Sequence, residues 1–250
     1  MPRTLIPLNV CCLADGSGTT VEAILLAIAQ HRLPNVKIGL VISANPNAGV
    51  IYKAVAGGVA QNDVLVVSPK DYPTEDAQGE AILRACKDRD INFISQCGRI
   101  AYTPATVVKE FHGRIVNQHP GTIAFSLNAT DRLDFGGEGM YGRRVIAAAR
   151  HFAHLTNTRW YTYATCHFVK EGNDTGQVIR AWAVPFGRNA SVLEIQQRLL
   201  PVEHEVQIAT LGDAGSGSLG RKELRDPVSP NLKKELYRAR ELAITEYPNG

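Results

Sequence analysis

Asn117-Gln118-His119-Pro120-Gly121 closes a short β-rich run and joins an amide to an imidazole. The amide can donate to an oxygen that gains negative charge, and the imidazole can give or take a proton near neutral pH. Further along, Cys166-His167-Phe168-Val169 is followed by Asp174-Thr175-Gly176, which adds a second imidazole and a carboxylate in a hairpin-like connection. Near the start, Gly16-Ser17-Gly18-Thr19-Thr20 stands between an apolar run and a helical pattern. Backbone amides in such a loop can approach a phosphate, and the helix start favours an anion. Taken singly, each has a plain structural reading. Asn-x-His is more often structural than catalytic, Asp before Thr-Gly is ordinary turn chemistry, and a His in an apolar strand is more often a core residue. The glycine loop lacks the third glycine of the dinucleotide fingerprint and the Lys-Ser/Thr pair of the triphosphate loop.

The elements that must position these groups follow from periodicity. Apolar strand-like runs are expected at Leu8–Ala14, Val36–Ser43, Val64–Val67, Ile91–Ser95 and Arg114–Asn117. Helical patterns fall between them at Val21–Gln30, Val50–Val59 and Thr74–Asp88, and after Thr103-Pro104, with Thr103 as N-cap and Pro104 at the first helical position. Strands alternating with helices predict an α/β, Rossmann-like fold, a mostly parallel sheet with helices on both faces. Ligands of such sheets bind beyond the carboxyl ends of the strands, which is where the glycine loop and Asn117–Gly121 fall. Phe125–Gly142 is a polar, glycine-rich loop of the length that usually serves a function. A helix over Tyr141–Phe152, strands over Trp160–Lys170 and Gln177–Phe186, and a helix over Ser191–Leu211 interrupted or kinked by Pro201 complete a catalytic domain of residues 1–211. Residues 212–250 read as a flexible linker, Gly212–Ser218, and a charged helical tail over Leu232–Ile244.

Composition excludes several classes. Of 250 residues, 27 are Lys or Arg and 24 Asp or Glu; so small a surplus, with no basic run carrying aromatics, gives no nucleic-acid footprint. No stretch approaches the ~20 apolar residues of a membrane span, and Met1–Val10 lacks a secretory signal. Cys11, Cys12, Cys86, Cys97 and Cys166 show no metal-ligand or disulfide spacing, so buried thiols in a reducing cytoplasm are expected, with no metal.

Together the three weak signals acquire specificity. In order and spacing they resemble the formyltransferase family that uses 10-formyltetrahydrofolate, over roughly Leu8–Leu211, and look most like its members that act on 5-phosphoribosylglycinamide in purine synthesis. The family's Asn-x-His-Pro matches Asn117–Pro120. Its His-Phe-Val, seven residues ahead of Asp-x-Gly, matches His167–Val169 and Asp174–Gly176. Its phosphate loop is similar to Gly16–Thr20, and its Glu-His falls on Glu203-His204. The Phe-Gly-Gly-x-Gly-Met-Tyr-Gly of some members stands at Phe135–Gly142.

The resemblance implies a catalytic triad of Asn117, His119 and Asp174, with Asp174 raising the His119 pKa and His167 lining the same pocket. It implies acceptor contacts from Gly16, Ser17, Gly18, Thr19 and Thr20 to phosphate and from Glu203 to amine or hydroxyls. Folate contacts are implied for Arg99, Ile100, Ala101 and Tyr102 and, before Asp174, for Gly172 and Asn173. The partners would be folate and a phosphorylated small-molecule amine, without nucleic acid or membrane, and with room for a homodimer. Three stretches depart from the family pattern: Thr20 replaces Asn, Gly121–Ala124 replaces Ser-Leu-Leu-Pro, and Gly98–Tyr102 is one residue shorter than the usual folate strip. The competing readings are an amino-sugar nucleotide as acceptor, a non-catalytic binding protein of the same fold, and, on Gly16-x-Gly18 alone, a nicotinamide oxidoreductase.

Overall fold

The strand LNVCCL, β1 (Leu8–Leu13), is buried at all six positions. Successive side chains of a strand point to opposite faces, so both faces of the sheet must be covered here. The computed structural model describes residues 7–99, 101–123, 133–172, 174–220 and 227–250.

The chain forms two compact units. The first comprises Met1–Asn117 and Gln207–Gly220. Its strands β1, β2 (Val36–Ser43), β3 (Val64–Val66), β4 (Phe93–Gln96) and β5 (Ile115–His119, whose last two residues belong to the second unit) alternate with α1 (Thr19–Ala29), α2 (Gly49–Ala56), α3 (Glu75–Lys87) and α4 (Ala105–Glu110). β1 pairs in parallel with β2 and β4, β2 with β3, and β4 with β5. The second unit comprises Gln118–Val206 and Arg221–Gly250. It holds α5 (Arg143–Thr156), the antiparallel pair β6 (Tyr161–Phe168) and β7 (Val178–Pro185), and α7 (Lys233–Glu246). α6 (Val192–Gly215) contributes residues to both units. The seven strands follow the order β3-β2-β1-β4-β5-β6-β7, a mostly parallel sheet with an antiparallel β6–β7 pair, which is the expected Rossmann-like class.

Four local expectations change. α1 begins at Thr19, so Thr19 and Thr20 form its first turn. Thr103 does not cap α4. Its hydroxyl accepts from Gln96 Nε2 at 2.9 Å, and Pro104 takes the N-cap position. α6 is helical through Pro201, because buried Leu199 and Val206 on either side of the proline outweigh one missing backbone bond. Gly212–Gly215, expected as linker, is the last turn of that helix, and Gly215 fits because a Cβ there would lie 2.9 Å from Val36 Cγ2. The tail helix α7 packs on α5 through Leu236, Ala239 and Ala243, all fully buried. Among the described residues no helix is long and apolar enough to cross a membrane.

Candidate active site

His119 is the last residue of β5, and His167 is the penultimate residue of β6. Both are buried, 3% and 2% exposed. Asp174, in the connection between β6 and β7, lies between them: His119 Nδ1 is 3.5 Å from its Oδ2, and His167 Nε2 is 3.5 Å from its Oδ1. The outer ring nitrogens face carbonyls, His119 Nε2 that of Phe135 at 3.3 Å and His167 Nδ1 that of Phe168 at 2.8 Å. A proton on any of the four ring nitrogens therefore finds an acceptor. Asn117 stands two residues before His119 on β5, paired in register with Gln96.

Local geometry explains why these residue types stand here. Asp174 has φ 53°, the left-handed region, which Asp tolerates better than most residues. Gly176 packs against the end of β6, and a Cβ there would lie 1.5 Å from the Phe168 carbonyl oxygen. Asp-x-Gly is thus a turn that aims a carboxylate while its glycine lets the chain lie on β6. Gly121 plays a similar part after His119, since a Cβ there would meet Val145 Cγ1 at 2.4 Å. The Pro120 and Gly121 carbonyls accept from the Thr162 and Thr165 hydroxyls of β6 at 3.0 and 2.7 Å.

Residue-by-residue reading missed the part played by the Phe135–Gly142 loop. The Phe135 carbonyl faces His119, and the Gly137 amide donates to Asp174 Oδ2 at 3.0 Å. Asp134, fully buried, accepts from the Gly136 amide at 3.0 Å. The run FGGEGMYG was visible as a signature, but backbone groups do the work, and no side-chain pattern announces them.

Burial sets the charges. It pushes the His119 imidazole below its ordinary 6.5, outweighing the upward pull of Asp174, so the expected rise is reversed. Burial alone would push the Asp174 carboxyl up, but His119, His167 and the Gly137 amide together hold it well below the usual carboxylate range. The site at neutral pH is therefore an ionised carboxylate beside a neutral His119, able to accept a proton and hand it on.

The other expected contacts divide by unit. In the first, Gly18 is the N-cap of α1 with φ 77°, and a Cβ there would lie 2.5 Å from Val50 Cα. No side chain caps this helix start, so its first amides suit an anion. Ser17 is exposed and Thr20 buried. Arg99 is turned to Asp15, with Nη1 3.1 Å from Oδ1 and only 2% of the side chain exposed. Asp15 also accepts from the Ala44 and Ala101 amides at 2.7 and 2.9 Å, tying together the chain after β1, β2 and β4. Tyr102 is exposed. In the second unit Gly172 has φ 88°. Glu203 on α6 is buried, and burial pushes its carboxyl up to about 7. Ile100 and Asn173 lie outside the described residues. Among the described residues no set of three or more His, Cys, Asp or Glu side chains is arranged to hold a metal ion.

No protein-family profile matches the chain. It is 24% identical over 192 residues to phosphoribosylglycinamide formyltransferase of Bacillus subtilis, a match over 77% of this chain and 87% of that one. It is 28% identical over 143 residues to the chloroplastic phosphoribosylglycinamide formyltransferase of Arabidopsis thaliana, covering 57% of this chain and 44% of the relative's length. The solved structure of glycinamide ribonucleotide transformylase 1 from Geobacillus kaustophilus is 31% identical with a TM-score of 0.69, covering 85% of this chain and 99% of that one. At that identity and coverage, the chain belongs to the phosphoribosylglycinamide formyltransferase family.

Proposed function

We propose that the chain transfers a formyl group from 10-formyltetrahydrofolate to the amine of 5-phosphoribosylglycinamide in purine synthesis. The observation that carries this reading is the convergence of His119 and His167 on opposite oxygens of one buried Asp174 carboxylate. Folate supplies the formyl carbon already activated on nitrogen, so the reaction itself calls for no metal. As the amine adds, the formyl oxygen gains negative charge and the Asn117 amide donates to it; losing one such donor typically costs about 3–4 kcal/mol of transition-state stabilisation. His119 takes the proton that the amine sheds and becomes an imidazolium, which the Asp174 carboxylate stabilises and which then protonates the leaving folate nitrogen.

Gly16, Ser17, Gly18, Thr19 and Thr20 are assigned to the acceptor phosphate. Glu203 is assigned to its hydroxyls or amine, since its buried carboxyl, pushed up by desolvation, gains from a donor that reaches it. Backbone at Ala101, Tyr102 and Gly172 is assigned to the folate ring. The Arg99 side chain holds the strip to Asp15 rather than meeting the ligand. On this reading residues 1–211 carry the chemistry, both partners are small molecules, and the protein acts in the cytoplasm as a monomer or homodimer.

The test offers purified protein 10-formyltetrahydrofolate with glycinamide ribonucleotide, and in parallel with amino-sugar nucleotides, and follows deformylated folate. Release that depends on glycinamide ribonucleotide is expected. Release only with an amino-sugar nucleotide reassigns the acceptor, and release with neither rejects formyl transfer.

A further inference from the structure

The segment 227–250 has no part in the chemistry assigned above, yet it reaches the loop that touches the catalytic groups. Arg144, a buried residue in the first turn of α5, spreads its guanidinium over three carbonyls. Nη1 donates to Gly139 in the Phe135–Gly142 loop at 2.9 Å, Nε to Tyr247 at 2.7 Å, and Nη2 to Pro248. Its guanidinium also lies over the Tyr141 ring, 4.7 Å from the centroid. At the loop's other end, the Val228 amide donates to the Leu133 carbonyl at 2.7 Å. The loop is thus held near one end by the segment itself, through Val228, and at Gly139 by Arg144, which the segment's Tyr247 and Pro248 carbonyls hold in turn. The loop offers the Phe135 carbonyl to His119 and the Gly137 amide to Asp174. α7 is in turn anchored on α5, with His151 Nε2 2.7 Å from Glu246 Oε2.

Four glycines, Gly136, Gly137, Gly139 and Gly142, leave this loop little conformational preference of its own. What holds it must come from outside, and charge-assisted bonds to a planar guanidinium are the stronger kind. We propose that Arg144 and the 227–250 segment are positioning elements for formyl transfer: they hold the Phe135–Gly142 loop so that its backbone orients His119 and Asp174. Displacement of a catalytic group by about 1 Å can cost about 10²-fold in rate. The proposal rests on the function proposed above only for its kinetic readout.

The experiment compares the full chain with Arg144→Met, Arg144→Lys and, as a stability control in the other unit, Ile82→Val in the buried face of α3. Arg144→Met is expected to lower kcat at least tenfold with both KM values within threefold. It should also speed hydrogen exchange at the Gly137 amide at least tenfold, leaving exchange in β1 and β4 unchanged. Arg144→Lys should recover part of both effects, and Ile82→Val should lower Tm with kcat within twofold. Should Arg144→Met not fold, Leu236→Ala, which loosens α7 from α5, must give the same local exchange signature. A folded Arg144→Met with parental kcat overturns the proposal, as does exchange that rises evenly over the whole chain. If the parent transfers no formyl group, the functional reading fails by itself, and protection of Gly137 in Arg144→Met still decides the brace: parental protection rejects it.

Discussion

Asp174 stands 3.5 Å from His119 across a buried gap, yet the imidazole is pushed below its ordinary value of 6.5. Desolvation outweighs one nearby carboxylate, and the carboxylate's counter-pull can be measured. Replacing it with a neutral isostere should therefore move the His119 pKa further down. The check is an NMR titration of the His119 ring in the parent and in Asp174→Asn; a pKa that rises in the variant contradicts the assignment.

Asp174→Asn should also lower kcat by about 10²–10⁴, the range of a lost acid–base contribution. Asn tolerates the left-handed backbone at this position, so the fold should survive. Turnover within a factor of two of the parent, with parental circular dichroism, removes Asp174 from the machinery.

Glu203 gives a signed pH dependence. Its carboxyl holds a proton up to about 7 in the fold, against an ordinary 4.5. The fold binds that proton more tightly than the unfolded chain does, so the contribution is full below 4.5 and is lost as pH rises through 7. Glu203→Gln should match the parent near pH 4 and exceed it in stability at pH 8 by up to about 3 kcal/mol. Urea midpoints for both proteins at the two pH values test this; a constant difference refutes it.

Two glycines of the Gly16–Thr20 loop should behave differently. A Cβ on Gly16 meets nothing within 4 Å, whereas one on Gly18 would lie 2.5 Å from Val50 Cα at φ 77°. Gly16→Ala should change stability by about 0.5 kcal/mol or less, and Gly18→Ala should cost about 2 kcal/mol or more. Equal Tm values for the two variants contradict the loop geometry.

Asp15→Ala leaves the Arg99 guanidinium buried without its carboxylate, a change that typically costs about 3–5 kcal/mol. Arg99→Met in the same chain removes the orphaned charge and should restore much of the loss. A double-mutant cycle by urea unfolding reads the coupling; strict additivity shows that the pair is not a unit.

The β-rich and helical runs of the first half were legible because a parallel strand buried on both faces reads as a short continuous apolar run, whereas an amphipathic helix repeats at 3.6. Strands over residues 36–43 and 64–66 fell within the expected runs for that reason. Boundaries were less legible where a tertiary partner intervened. Thr103 was diverted from capping by Gln96, and Gly212–Gly215 became helix because Gly215 packs on Val36. His119, His167 and Asp174 were legible as residue types at family spacing, and Arg99 was not legible as the partner of Asp15, because the two are distant in sequence and the pair forms only when the chain after β1 and β4 meets.

Residue order alone specified an alternating α/β chain and singled out an amide, two imidazoles and a carboxylate as candidates for one chemistry. Folding alone decided that His119 is neutral, that Asp174 is charged, and that Arg144 joins a loop to a tail far from it in sequence. The physical reason is the same in each case. Local pattern carries backbone preference and hydrophobic period, whereas desolvation and hydrogen bonding to backbone carbonyls depend on which segments meet in space.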